Sequence, residues 1–181
     1  MLSNILILSA LLSFFPTEKN LYDITKASLK FDSDAPLELI KASTSNVKGI
    51  IDVDNNAFAF LVPITSFEGF NSSLQREHFN ENYMESDVYK SARFFGKIEG
   101  EYDLEQYGDY EVVGVGKFDL HGLKSSYEIP VLIHVDDYGI KISSKFELQL
   151  DDFDIKVPTI MRLKIAEVIF VDFEANLDRR F

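Results

Sequence analysis

Tyr138-Gly139-Ile140-Lys141-Ile142-Ser143-Ser144-Lys145-Phe146-Glu147-Leu148-Gln149-Leu150 decides the fold. Tyr138, Ile140, Ile142, Phe146, Leu148 and Leu150 fall on one face, while Lys141, Ser143, Lys145, Glu147 and Gln149 fall on the other. Side chains that alternate with a period of two line a half-buried β-strand. Upstream, Tyr127, Ile129, Val131, Ile133 and Val135 repeat the pattern over 125–135. The intervening Asp136-Asp137-Tyr138-Gly139 carries residues suited to a tight turn, so the two segments form a hairpin.

The same reading extends outward from this hairpin. Further strands are expected at 21–31, 37–43, 47–53, 57–66, 91–99, 109–120 and 163–175. One helix interrupts them, from Leu74 to about Met84. Asn71-Ser72-Ser73 supplies its N-cap, Ser72 with Gln75 fits a capping box, and Phe79 and Tyr83 share a face. About nine strands with few covering helices must hide their sheet edges, and closure hides them most completely. The expected class is therefore all-β: an antiparallel barrel, preferred to a sandwich, with one short α-helix. In strand 109–120 the apolar even face contains Gly114 and Gly116. Glycine there either permits a sharp bend or leaves room for a ligand.

The 181 residues suit one domain, and a 46% hydrophobic composition argues against disorder. Sixteen Phe and eight Tyr, with no Trp, supply apolar surface for a packed core or a pocket. A formal net charge of −12 disfavours nucleic acid and anionic membrane surfaces as partners. The absence of Cys excludes disulfides, thiol catalysis and thiolate metal sites. Residues 1–16 carry no charge, and Ile5 to Phe15 is apolar except for Ser9 and Ser13. At about 11 residues the run is shorter than the ~20 of a transmembrane span. It suits a signal peptide, and hence a periplasmic or secreted protein; the alternative is a buried first element of a cytoplasmic one. Residues 17–181 then form a single barrel domain.

Residues that could carry chemistry are sparse. His134 lies on a polar strand face, His121 in the Asp119-Leu120-His121-Gly122 turn and His78 on the helix. None has a nucleophile-elbow context, so no catalytic residue is assigned and no enzyme is expected. Asp52-Val53-Asp54-Asn55-Asn56 begins like a calcium loop but lacks its Gly and distal Glu, and is read as a turn. Asp151-Asp152-Phe153-Asp154 is read as an inter-strand loop. No metal site and no cofactor motif is assigned.

Five segments, in order, resemble the YceI-like family of lipocalin-like barrels. They are Phe60–Phe70, Gln75–Ser86, Tyr89–Ile98 (with Lys90 where the family usually has proline), Gly114–Lys124 and Leu148–Pro158. The resemblance runs from about residue 21 to 177. It implies an elongated antiparallel barrel, lipocalin-like in form and capped by the short α-helix, in a non-enzymatic protein that holds an amphiphilic or isoprenoid-type lipid inside the barrel, many members being periplasmic. The alternative is a cell-envelope interaction module without a bound lipid. The basic head-group residue of some members has no counterpart near Asp151–Asp154, so the entrance is expected to be acidic, which favours a neutral or weakly charged lipid. The Gly-x-Trp signature of true lipocalins is missing. The apolar strand faces then nominate a lining of Phe58, Phe60, Val62, Ile64, Phe94, Tyr110, Val112, Phe118, Phe146 and Leu148, with Phe79 and Tyr83 of the helix closing the mouth.

Overall fold

The computed structural model describes residues 20–181; the expectation for residues 1–16 lies outside them. Nine strands follow in order: β1 Leu21–Ala35, β2 Glu38–Thr44, β3 Lys48–Asp52, β4 Ala57–Pro63, β5 Ser91–Glu99, β6 Gly108–Leu120, β7 Leu123–Asp136, β8 Gly139–Gln149 and β9 Val168–Arg179. All pair antiparallel, and β9 returns to pair with β1. On its other edge β1 pairs first with β3, through Leu21–Asp23, and then with β2, through Leu29–Ala35. β2 and β3 therefore share one position, and the closed barrel has eight staves. The β1–β9 pairing leaves β9 laddered on both sides.

A β-bulge at Thr25 sets the register of β1. Ile24 opposes Leu177 while Lys26 opposes Asn176. An extra residue shifts which side chains face inward. Tyr22 and Ile24 pack inside before the bulge, and Ala27, Leu29 and Phe31 after it. The last strand starts later than expected, at Val168 instead of 163. Met161 O accepts from Lys164 N and Ile165 N, so residues 161–165 coil into turns ahead of the sheet.

The anticipated β7–β8 hairpin is present, but its ladder spans only 132–136 against 139–143. In a hairpin with a two-residue loop, alternate residues aim their N–H groups at the partner strand. Asp136, His134 and Leu132 form that series. Pro130 is its next member and has no N–H to give. The strands separate there, and Ser144, a lone hydroxyl on the apolar face of β8, donates its Oγ–H to Pro130 O at 2.6 Å.

The helix covers the expected stretch but changes pitch. α1, Ser73–His78, continues as a π-helical turn, Phe79–Tyr83. Ser72 Oγ accepts from Gln75 N at 3.1 Å, as the capping box requires. The reciprocal bond, however, comes from Asn71 N to Gln75 Oε1 at 3.0 Å rather than from Ser72 N.

The two interior glycines serve close packing. Gly116 opposes Gly96 across β5 and β6, and a Cβ on Gly116 would stand 2.3 Å from Phe95 O. At Gly114 the missing side chain is replaced by the rings of Phe58 and Phe94, about 3.4–3.5 Å from a Cβ there. Neither leaves room for a ligand. Gly116→Ala should lower stability by about 1–3 kcal/mol in urea denaturation, because backbone rather than a flexible side chain must move.

On the outer wall His134 lies opposite Asp109 and bonds to its carboxylate, with Asp136 on the other ring nitrogen. Asp109 first, and Asp136 with it, hold the imidazolium above the usual histidine range. A raised folded pKa stabilises the fold below the unfolded value, about 6.5, and that contribution is lost as pH rises through the folded value. Proton NMR should show His134 titrating above 6.5, and Asp109→Asn should move its midpoint down.

Candidate functional site

The barrel interior divides into a solid half and a hollow half. Around the end where the β3–β4 and β7–β8 turns lie, Tyr22, Ile51, Phe58, Val112, Ile133, Ile142 and Leu177 pack into a continuous core. Towards the helix, the walls enclose a cavity of about 470 Å³. That is within the range of small-molecule sites, roughly 300–1,000 Å³. The boundary is aromatic. Phe58 stacks on Phe60 (ring centroids 5.5 Å apart) and tilts against Phe94 (4.8 Å), and Phe60 meets Phe173 at 5.8 Å. Phe60, Phe94 and Phe173 form the cavity floor, and Phe58 lies beneath it.

The residues nominated from sequence divide at this floor. Phe60, Val62, Ile64, Phe79, Tyr83, Phe94, Phe118, Phe146 and Leu148 line the cavity. Phe58, Tyr110 and Val112 do not: they belong to the packed half. Alternation identifies the inward face of a strand but not the level along it at which side chains stop meeting. Several lining residues were missed. Leu29 and Phe31 follow the Thr25 bulge, which hides their inward parity. Ile169, Val171 and Phe173 alternate cleanly on β9 and lie within the expected strand 163–175, so their period of two was a usable signal. Phe67 and Phe70 come from the connection after β4, where they and Phe31 surround Phe79 at centroid distances of 5.0–5.9 Å.

A wedge closes the opening between β7 and β8. The connection after β8 forms a 3-10 turn, Leu150–Phe153, and Asp154 adopts a left-handed conformation. Phe153 is thereby turned inward and fully buried, 5.8 Å from Phe118 and stacked on Tyr127 at 6.0 Å. Tyr127 Oη donates to Asp152 Oδ2 at 2.6 Å and accepts from Gln149 N at 3.2 Å. Burial, with the Asp152 hydrogen bond, pushes the Tyr127 hydroxyl up to about 12, so it remains a donor at neutral pH. His121, held at φ +50° in the β6–β7 turn, donates from Nδ1 to Phe153 O at 3.0 Å. A structural bond thus occupies Nδ1 of one of the three histidines.

Three segments frame the cavity mouth: the β1–β2 turn, α1 and the β8–β9 connection. Gln75 Nε2 donates to Glu38 Oε1 at 2.9 Å, Asn71 Nδ2 to Leu39 O at 3.1 Å, and Leu37 N to Leu163 O at 2.8 Å. Glu38, His78 and Lys164 place polar groups at this rim. Asp151, Asp152 and Asp154 do not line the cavity, so the expected acidic entrance is corrected to one of mixed charge. Arg93, also part of the lining, bonds its guanidinium to Asp119 at 2.8 Å. Among the described residues no helix is long and apolar enough to cross a membrane.

A closed antiparallel barrel with an apolar internal cavity and one short helix over it defines the class. The YceI-like domain family matches residues 22–177, and the chain belongs to it. A polyisoprenoid binding domain from Saccharophagus degradans, implicated in plant cell wall breakdown, superposes with a TM-score of 0.74 at 16% identity, covering 90% of this chain and all of that one. BcnA of Burkholderia cenocepacia gives 0.66 at 12% identity, covering 84% and 96%. The Campylobacter jejuni YCEI protein gives 0.60 at 14%, covering 77% and 84%. At these identities the likeness is one of fold. No curated protein matches by sequence.

The wedge can be tested by truncation. Phe153→Ala should cost about 3–5 kcal/mol, the range for a large buried aromatic. Hydrogen exchange should rise in Tyr127–Val131 and Ser144–Gln149, the strand segments it joins.

Proposed function

We propose that the protein binds an amphiphilic or isoprenoid-type lipid inside the barrel and carries or sequesters it, without catalysing its conversion. The apolar cavity of about 470 Å³, closed below by Phe60, Phe94 and Phe173, carries this reading. A hydrocarbon tail leaving water for such a site gains about 0.8 kcal/mol per buried CH₂, less the cost of ordering it. The S. degradans relative, a polyisoprenoid binding domain, supports the same ligand class. Family membership and that relative favour a binding protein over an enzyme.

The head group remains at the mouth, beside Glu38, Gln75, His78 and Lys164. These are one carboxylate, one amide, one imidazole and one ammonium, not a cluster of cations. An uncharged or weakly charged head suits them better than a pyrophosphate, which calls for several converging donors. Export to the periplasm or beyond, directed by the apolar run Ile5–Phe15, belongs to the same reading.

Organic extraction of the purified protein followed by mass spectrometry should recover a lipid. After stripping, geranylgeraniol should displace the probe 1-anilinonaphthalene-8-sulfonate from the barrel. Ala92 lies on the cavity wall, so Ala92→Trp should fill the cavity and weaken geranylgeraniol binding by roughly tenfold or more while the far-ultraviolet dichroism stays unchanged. Stripped, folded protein that binds neither probe nor alcohol refutes the proposal.

A further inference from the structure

The exposed apolar side chains are unevenly distributed over the barrel. Leu37 in the β1–β2 turn, Leu39 on β2, Leu74 on α1, and Ile160 and Leu163 in the β8–β9 connection are all solvent-exposed, Ile160 by 86% and Leu37 by 69%. These five come from the three segments that frame the cavity mouth. The hydrogen bonds Leu37 N to Leu163 O and Asn71 Nδ2 to Leu39 O bring those segments together. At the opposite end the aromatics Tyr107, Tyr138 and Phe181 are exposed, and Val88, Phe95, Leu123, Leu132 and Phe170 are exposed singly on other segments. Scattered exposed leucines need no explanation, but a ring of them around the opening of an apolar cavity does.

We infer that this rim is a membrane-docking surface, which seats the cavity mouth against the apolar zone of a lipid bilayer. The inference rests on the reading of the barrel as a lipid carrier. The cavity opens inside the ring, so a tail drawn from a bilayer through a seated mouth never crosses water. The protruding residues are aliphatic and stand on turns and short connections, a form suited to insertion between lipid head groups. Electrostatics selects the kind of membrane. The chain carries 30 acidic against 18 basic residues. At the rim itself Arg162 is paired with Glu167 at 3.1 Å and Glu38 accompanies Lys164 in the lining, so the charges there are of both signs. Docking is therefore apolar, it favours zwitterionic lipid, and anionic lipid opposes it.

The test floats the purified, lipid-stripped protein with vesicles of dioleoylphosphatidylcholine. Binding is expected there, persisting at high salt and falling when dioleoylphosphatidylglycerol is added. Substituting Leu37→Ser, Ile160→Ser and Leu163→Ser together should reduce the bound fraction by about tenfold. None of the three lines the cavity, so displacement of 1-anilinonaphthalene-8-sulfonate by geranylgeraniol should remain as in the parent protein. The chain has no Trp, so Ile160→Trp gives a single reporter whose emission should shift to the blue with the same vesicles. A protein that binds geranylgeraniol but neither floats nor shows the shift overturns the docking inference alone. Binding that requires anionic lipid and disappears with salt overturns the apolar mode. Loss of geranylgeraniol binding in the parent protein overturns the carrier reading instead.

Discussion

The pairing of β1 with β9 is the constraint on which the interior depends. Ten residue pairs join them, from Tyr22↔Arg179 to Asp32↔Phe170, interrupted only by the bulge at Thr25. This ladder converts an open sheet into a barrel, and the bulge makes the conversion compatible with a dry interior. A strand that ran straight would keep one parity inward along its whole length. β1 instead presents Tyr22 and Ile24 to the packed half, and Leu29, Phe31 and Ser33 to the cavity level. Ser33 is a buried hydroxyl that accepts from Ala166 N at 2.9 Å, tying the top of β1 to the β8–β9 connection.

The contrast between the two halves follows from how tightly the wall closes. Around the packed end, β7 and β8 pair beside their turn, and Gly96 and Gly116 let β5 and β6 approach until backbone meets backbone. Phenyl rings then reach across the narrow interior and meet. Beyond Pro130 the wall widens. Tyr127, Phe118 and Phe153 fill the separation between β7 and β8, but the axis beside them stays empty. Gly49 contributes at the boundary. It opposes Phe60, and a Cβ on it would stand 2.2 Å from that ring. Its bare backbone gives Phe60 a surface to lie on, where the ring becomes part of the floor.

Period-two alternation made nearly all of the strand inventory legible, because each strand has one wet and one dry face. It also gave the inward identities of Phe60, Phe94, Phe118, Phe146 and Leu148. It could not give depth. Phe58 and Phe60 share a strand face and a residue type, yet one is core and the other floor, a difference created by Gly114 and Phe94 from other strands. Pro130 was visible in the sequence, but its effect on the hairpin depends on whether its edge of β7 turns towards β6 or β8, which local sequence does not state. The Thr25 bulge was hidden for a related reason. It inserts one residue into a ladder whose partner, β9, lies some 150 positions away along the chain.

The mouth differs from the rest of the barrel in how it is held. Apart from the β7–β8 separation beyond Pro130, the walls are ladders, in which separating two strands breaks many hydrogen bonds at once. The mouth is joined by single bonds between segments: Leu37 N to Leu163 O, Asn71 Nδ2 to Leu39 O, Gln75 Nε2 to Glu38 Oε1, and Ala166 N to Ser33 Oγ. Each such bond contributes about 0.5–1.5 kcal/mol net. Segments joined in this way open at far lower cost than the global unfolding of the barrel. Parting α1 from the two neighbouring connections would therefore widen the mouth while the β1–β9 ladder and the aromatic floor stay intact. The fold thus places single hydrogen bonds where the cavity opens, and ladders around most of its circumference.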